Sequence, residues 1–283
     1  MSIACAAVLF AACSSTRNDA VENGRIAYDI AVSPLVKSSS PKAGSIEPAV
    51  WAVDAAGGDF YLEDEPLVQG DDMLWTPECG AKWPDFGLKQ YFCSPKGRAG
   101  FSPEGGICFA DYSLDEACEL YYTEQVDAAG EQGVAAVVMR NALCAVRLYA
   151  CSTMPSYAKF MVRSVEFRNV CTAGSFNSLP GAEWTLDEDS VKDVMCFDSK
   201  FTAGEYPALV ADRTMMIPQD GTVEVSVVCD VDADGIVLDN QKYDCKVKVN
   251  WKPGKVYDYV IRADGESDMK VSVEYFKDNG SGL

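Results

Sequence analysis

The chain has 283 residues, 48% of them hydrophobic, and a formal net charge of −19 at pH 7. That is apolar material for two ordinary domains or one large β domain, and the acidity speaks against a nucleic-acid partner, whose phosphates need cationic patches. Histidine is absent, which removes the commonest general base, the commonest zinc ligand and every Ser-His or Cys-His pair.

Residues 1–12 are small or apolar and uncharged, and Cys13 follows. The run is too short to span a bilayer and reads as the core of a signal peptide. Ala11-Ala12-Cys13 resembles a lipobox, although no Lys or Arg precedes it and Phe10 stands where leucine is usual. Cys13 is therefore the expected lipidation site, and 13–25 a polar tether. Ile26, Tyr28, Ile30 and Val32 then alternate with Ala27, Asp29 and Ala31, the pattern of a first strand. Residues 37–44 break it with Ser, Pro and Gly. Val50 to Val53 starts a second strand, and Asp59 to Leu62 follows the Gly57-Gly58 turn.

Pro84 sets an extended turn before a strand over 88–93 that carries aromatics into a core. Residues 94–106 are rich in Pro and Gly and read as loop. Ser113-Leu114-Asp115-Glu116 fits a capping box with a short helix at most. An apolar stretch runs over 134–148, and Thr153-Met154-Pro155-Ser156 is the candidate domain boundary. The strand over 160–170 has mixed residues on both faces, so its register stays open.

Two long alternating runs come next. Val223, Val225, Val227, Cys229 and Val231 are in phase, and so are Tyr243, Cys245, Val247, Val249 and Trp251. Asp232-Ala233-Asp234-Gly235 lies between them, which predicts a long antiparallel hairpin. Val256 to Ile261 is a further strand, and Val271, Val273 and Tyr275 make a last one. One greasy sheet face needs a second layer to cover it, so the fold class is all-β.

Chemistry is sparse. The chain lacks a Gly-x-Ser-x-Gly elbow and a phosphate loop, and Asp187-Glu188-Asp189 reads as a solvated run. No enzymatic activity is expected, and no cofactor apart from one conditional ion. Asp230, Asp232 and Asp234 with Gly235 match the first half of a calcium loop, but Gln241 stands where the bidentate glutamate belongs. An acidic hairpin loop is the preferred reading, with calcium as the other. The twelve cysteines show no Cys-x-x-Cys spacing. Cys144, Cys171, Cys196, Cys229 and Cys245 sit in apolar or alternating runs, as buried thiols do; a disulfide framework in an oxidising compartment is the other reading.

Several residue groups together resemble one family. Met216-Ile217-Pro218-Gln219 precedes the hairpin, and Trp251, Gly254, Tyr257 and Tyr259 follow it. Upstream lie Trp75, the Lys82-Trp83-Pro84 step, a strand ending at Ser94-Pro95, Asn141-Ala142-Leu143 where the family often has His-Ala-Leu, and Gly181 to Thr185. This order resembles fimbrillin-like proteins, which are surface lipoproteins and pilus subunits of anaerobic Gram-negative gut and oral bacteria. The resemblance implies two tandem transthyretin-like β-sandwich domains, here 26–155 and 156–283. It implies a fimbrial structural or accessory subunit in adhesion, held in the outer membrane by its N-terminal lipid and joined to other subunits by donor-strand exchange. The acceptor-groove strand would carry Ile26, Tyr28, Ile30 and Val32. The donor strand would carry Val271, Val273 and Tyr275. In that family a protease usually cuts after arginine. Here Arg17 and Arg25 precede the first strand, and Lys37 and Lys42 follow it. The alternative is a monomeric surface lipoprotein that binds a glycan or a host protein, and a surface glycan-cleaving enzyme is a distant third.

Overall fold

The structure of the chain is a computed structural model. It describes residues 24–33, 35, 46–128, 133–265 and 269–276. Among these the fold is all-β, and the one helical element is a single 3-10 turn, Leu114–Glu116. That turn carries the expected capping box, with Ser113 and Glu116 each closing on the other's backbone.

The first five strands are β1 (Tyr28–Val32), β2 (Ala49–Asp54), β3 (Phe60–Gln69), β4 (Trp75–Pro77) and β5 (Leu88–Ser94). The short pair β6 (Gly100–Ser102) and β7 (Gly106–Ser113) comes next, then β8 (Tyr121–Tyr122), β9 (Val126–Ala128) and β10 (Ala135–Asn141). Seven of these close a barrel, in the order β1-β10-β8-β5-β2-β3-β4 and back to β1, while β9 prolongs the line of β8 along β5. Two stacked sheets are expected here from the sequence; the strands instead wrap into a ring. Closure leaves no sheet edge, so no second sheet is needed to cover one.

A second layer does sit outside the barrel. β7 pairs with β13 (Ala173–Asn177), and β14 (Glu183–Leu186) pairs with β13. Facing strands of the barrel are therefore apolar on both sides. Along β2, Val50 and Ala52 point into the barrel, while Ala49, Trp51 and Val53 meet Ile107, Phe109 and Phe176 outside it. Phe92 goes inward and Tyr91 outward in the same way. A strand buried on both faces reads as a continuous apolar run, which is what Ala49-Val50-Trp51-Ala52-Val53 is.

The remaining strands are β11 (Cys144–Ser152), β12 (Ala158–Cys171), β15 (Val191–Ala203), β16 (Ala208–Met216), β17 (Asp220–Ala233), β18 (Ile236–Asn250), β19 (Val256–Asp264) and β20 (Lys270–Tyr275). They form a sandwich of two four-stranded sheets, β16-β11-β19-β20 and β15-β12-β17-β18. Residues 153–157 thus turn between two strands of one sandwich, while β13 and β14 leave it to join the barrel's outer layer.

The predicted hairpin is β17–β18, with Val223, Val225 and Val227 opposite Val247, Cys245 and Tyr243. Gly235 takes φ +83°, a left-handed backbone that glycine adopts without penalty. Trp251 is buried and meets Phe167 at 6.0 Å between ring centres, and its indole N–H donates to the Tyr259 hydroxyl at 2.9 Å. A buried indole needs that partner. The Tyr257 hydroxyl accepts from Lys252 N at 2.8 Å and donates to Asn250 O at 2.9 Å. These bonds explain the spacing of Trp251, Tyr257 and Tyr259. Each fully buried large side chain contributes about 1.5–3 kcal/mol.

Candidate functional site

β1 is held unequally on its two sides in the barrel wall. On one side it runs parallel to β10 over five residue pairs, from Tyr28↔Ala135 to Val32↔Met139. On the other it meets β4 at one pair, Tyr28↔Trp75. The strand begins at Tyr28, two residues later than expected. Ile26 precedes it, and its backbone N–H donates to Ala81 O at 3.0 Å. Ile26 and Tyr28 are fully buried, whereas Ile30 and Val32 are half-buried and pack on the same core.

Tyr28 has a specific seat. Its ring meets Phe92 edge-on at 4.9 Å and Trp83 at 6.2 Å. Its hydroxyl accepts from Gln90 Nε2 at 2.8 Å. Burial pushes the phenol far above its ordinary pKa, with the Gln90 bond pulling the other way. Gln90 is fully buried, and its Oε1 has no partner; Trp83 Nε1 is also unpaired. An orphaned buried polar atom costs about 1–3 kcal/mol. Gln90 was missed in the sequence, yet a signal exists: it stands in phase with Leu88 and Phe92, where an apolar residue belongs.

β20 forms the edge of its sheet, antiparallel to β19. Val273 is buried, Val271 half-buried and Tyr275 exposed. The two strands singled out in the sequence therefore lie in different units, one in the barrel wall and one at the sandwich edge.

The other predicted sites are not brought together. Cys13, Lys37 and Lys42 lie outside the described residues. Among the described residues no three His, Cys, Asp or Glu side chains gather for a metal. Asp230 Oδ1 accepts from Asn240 N at 3.0 Å and its Oδ2 faces Arg163 at 3.6 Å, while Asp232 Oδ1 accepts from Gly235 N at 3.1 Å. Asp230 and Asp232 lie in strand β17, and protein groups already engage their carboxylates. The ten cysteines in the described residues are free; burial pushes the Cys196 and Cys229 thiols up to about 12.

A joint couples barrel and sandwich. Asn141-Ala142-Leu143 connects β10 to β11. The Trp184 indole donates to Ala142 O at 2.8 Å, and Gly254 N donates to Leu143 O at 2.8 Å. Glu119 accepts from Asn141 Nδ2 at 2.8 Å and pairs with Arg213 of β16.

No family model matches the chain, and no curated protein does. Solved structures do. A fimbrial protein of Bacteroides vulgatus superposes with a TM-score of 0.61 at 11% identity, over 89% of this chain and 98% of that one. The chain has the fold of a fimbrial protein. A candidate cell adhesion protein of Bacteroides uniformis shares this fimbrial fold with a TM-score of 0.58 at 14% identity, over 90% and 98% of the two chains. One of Bacteroides ovatus does so with a TM-score of 0.52 at 12% identity, over 89% and 96%. The expectation of a fimbrillin-like architecture holds at the level of fold. In these terms, β1 is the barrel wall strand and β20 the sandwich edge strand of a fimbrial fold.

Proposed function

We propose that the protein is a fimbrial structural or accessory subunit of the cell surface that polymerises by donor-strand exchange. The observation that carries this reading is β1: an apolar strand seated in a barrel wall, paired along one side and at a single residue on the other. Its removal leaves an apolar slot edged by unpaired backbone, which demands a replacement strand. β20, an edge strand with alternating apolar residues, is the available donor to a neighbouring subunit. The barrel with its outer layer and the sandwich take the places of the two transthyretin-like domains in this reading.

Acylation of Cys13 would anchor the subunit in the outer membrane, and Ala11-Ala12-Cys13 supports it. Cys13→Ala should release the protein from the membrane fraction and remove its lipid mass; unchanged retention and mass would refute anchoring. The test of assembly is size-exclusion chromatography of chains starting at Ile26 and at Ala43. The first should run as a monomer and the second as multimers. A soluble monomer from the second would favour the other reading, a monomeric surface protein binding glycan or host protein. That reading has its own support at the far end of the sandwich, where Tyr206 is 76% and Ile236 70% exposed.

A further inference from the structure

We propose that Gln90 is the selectivity determinant of the β1 slot, admitting strands that present a tyrosine hydroxyl at the position of Tyr28. This deepens, and rests on, the strand-exchange reading. The slot is otherwise lined by Val50, Leu88, Phe92, Val137 and Met139, and apolar walls discriminate poorly between one aliphatic strand and another. A buried amide discriminates well, because an occupant that lacks its partner strands it. Gln90 is fully buried and bonds Tyr28 OH at 2.8 Å, while its Oε1 is already without a partner. A phenylalanine at position 28 would keep the edge-on contacts with Phe92 and Trp83 but leave both ends of the amide unpaired.

The chain carries a strand that meets this demand. β20 reads Val271, Val273, Tyr275 in phase, and taken backwards this is Tyr275, Val273, Val271. It aligns with Tyr28, Ile30 and Val32 of β1, with valine in place of Ile30. Seated in reverse, β20 of a neighbouring copy would put Tyr275 against Gln90. β1 is parallel to β10, so the reversed strand would be antiparallel to it, which is the slightly more stable pairing.

Two measurements test this. In the intact chain, Tyr28→Phe should lower the folding constant about tenfold, the worth of one buried hydrogen bond, and the same change in a Gln90→Leu background should be neutral or favourable. Additive effects would overturn the proposal. In protein nicked by a lysine-specific protease between β1 and β2, a peptide of residues 269–276 should displace β1 at least tenfold better than its Tyr275→Phe variant. Equal uptake of both peptides would overturn the selectivity and leave strand exchange standing. Uptake of neither would overturn the exchange reading, and the selectivity proposal with it.

Discussion

The barrel and the sandwich bury comparable apolar side chains in different ways. The sandwich strands are long, and its pairs interlock over most of their length: β17–β18 spans from Asp220↔Asn250 to Ala233↔Ile236, and the parallel β11–β19 pair runs over eight residues. Its core pairs the indole of Trp251 with Tyr259 and leaves the small hydroxyl of Ser226 without a partner. The barrel is closed by short strands, one joined to a neighbour at a single residue pair, and it buries an amide with an orphan oxygen. Cooperative stability follows the number of mutually supporting contacts. The sandwich should thus be the more stable half, and the proposed exchange of β1 would draw on the less stable one.

The sharpest way to break this comparison is to cut into the sandwich. Trp251→Ala should cost about 3–5 kcal/mol in urea unfolding, and a loss below about 1 kcal/mol would mean that the sandwich is not the stable half. Next in size is the joint. Glu119→Ala strands Asn141 and Arg213, should cost about 1–3 kcal/mol, and should split the unfolding curve into two transitions, barrel first. Retention of one cooperative transition would show that the halves are held together elsewhere.

Thiol labelling sharpens the comparison without mutation. Cys93 in the barrel and Cys144 in the sandwich are both buried, with burial pushing both thiols up. Each therefore reacts only after local opening, and Cys93 should label at least about tenfold faster. Equal rates would argue for one unfolding unit. The smallest effect is expected at the hairpin tip. Asp232→Ala removes one exposed hydrogen bond to Gly235, worth about 0.5–1.5 kcal/mol at most, and calorimetry should find no calcium heat in either form. A micromolar site lost in the variant would restore the calcium reading.

Much of this was legible in the sequence. The β17–β18 hairpin follows directly from period-two apolarity, as does the phase of Ile26, Tyr28, Ile30 and Val32. The register of β12 was not legible, and the reason is physical. Its pairing with β17 shifts between Val162 and Ser164, so buried positions pass from Phe160 and Val162 to Val165 and Phe167. One extra residue in a strand flips every later side chain. The same happens in β18, where Cys229 faces Gln241 but Val231 faces Leu238. Closure of the barrel was hidden because it depends on pairs such as Tyr28↔Ala135, more than one hundred residues apart. Gln90 broke the apolar phase of its strand in plain view.

The path of the chain between the halves has a consequence for how the protein comes to be. After β12 the chain leaves the sandwich, adds β13 and β14 to the barrel's outer layer, and returns as β15. β11, the first strand of the sandwich, pairs with β19, whose residues come about one hundred positions later. A chain emerging N-terminus first completes the two halves at different times. The barrel lacks its outer layer until residue 186 is out, and the sandwich lacks a central strand until residue 264. Long sequence separations make such pairing slow, and half-made sheets expose edges that aggregate. The sandwich therefore matures as one late event, which favours keeping its early strands unpaired until its last strands have arrived.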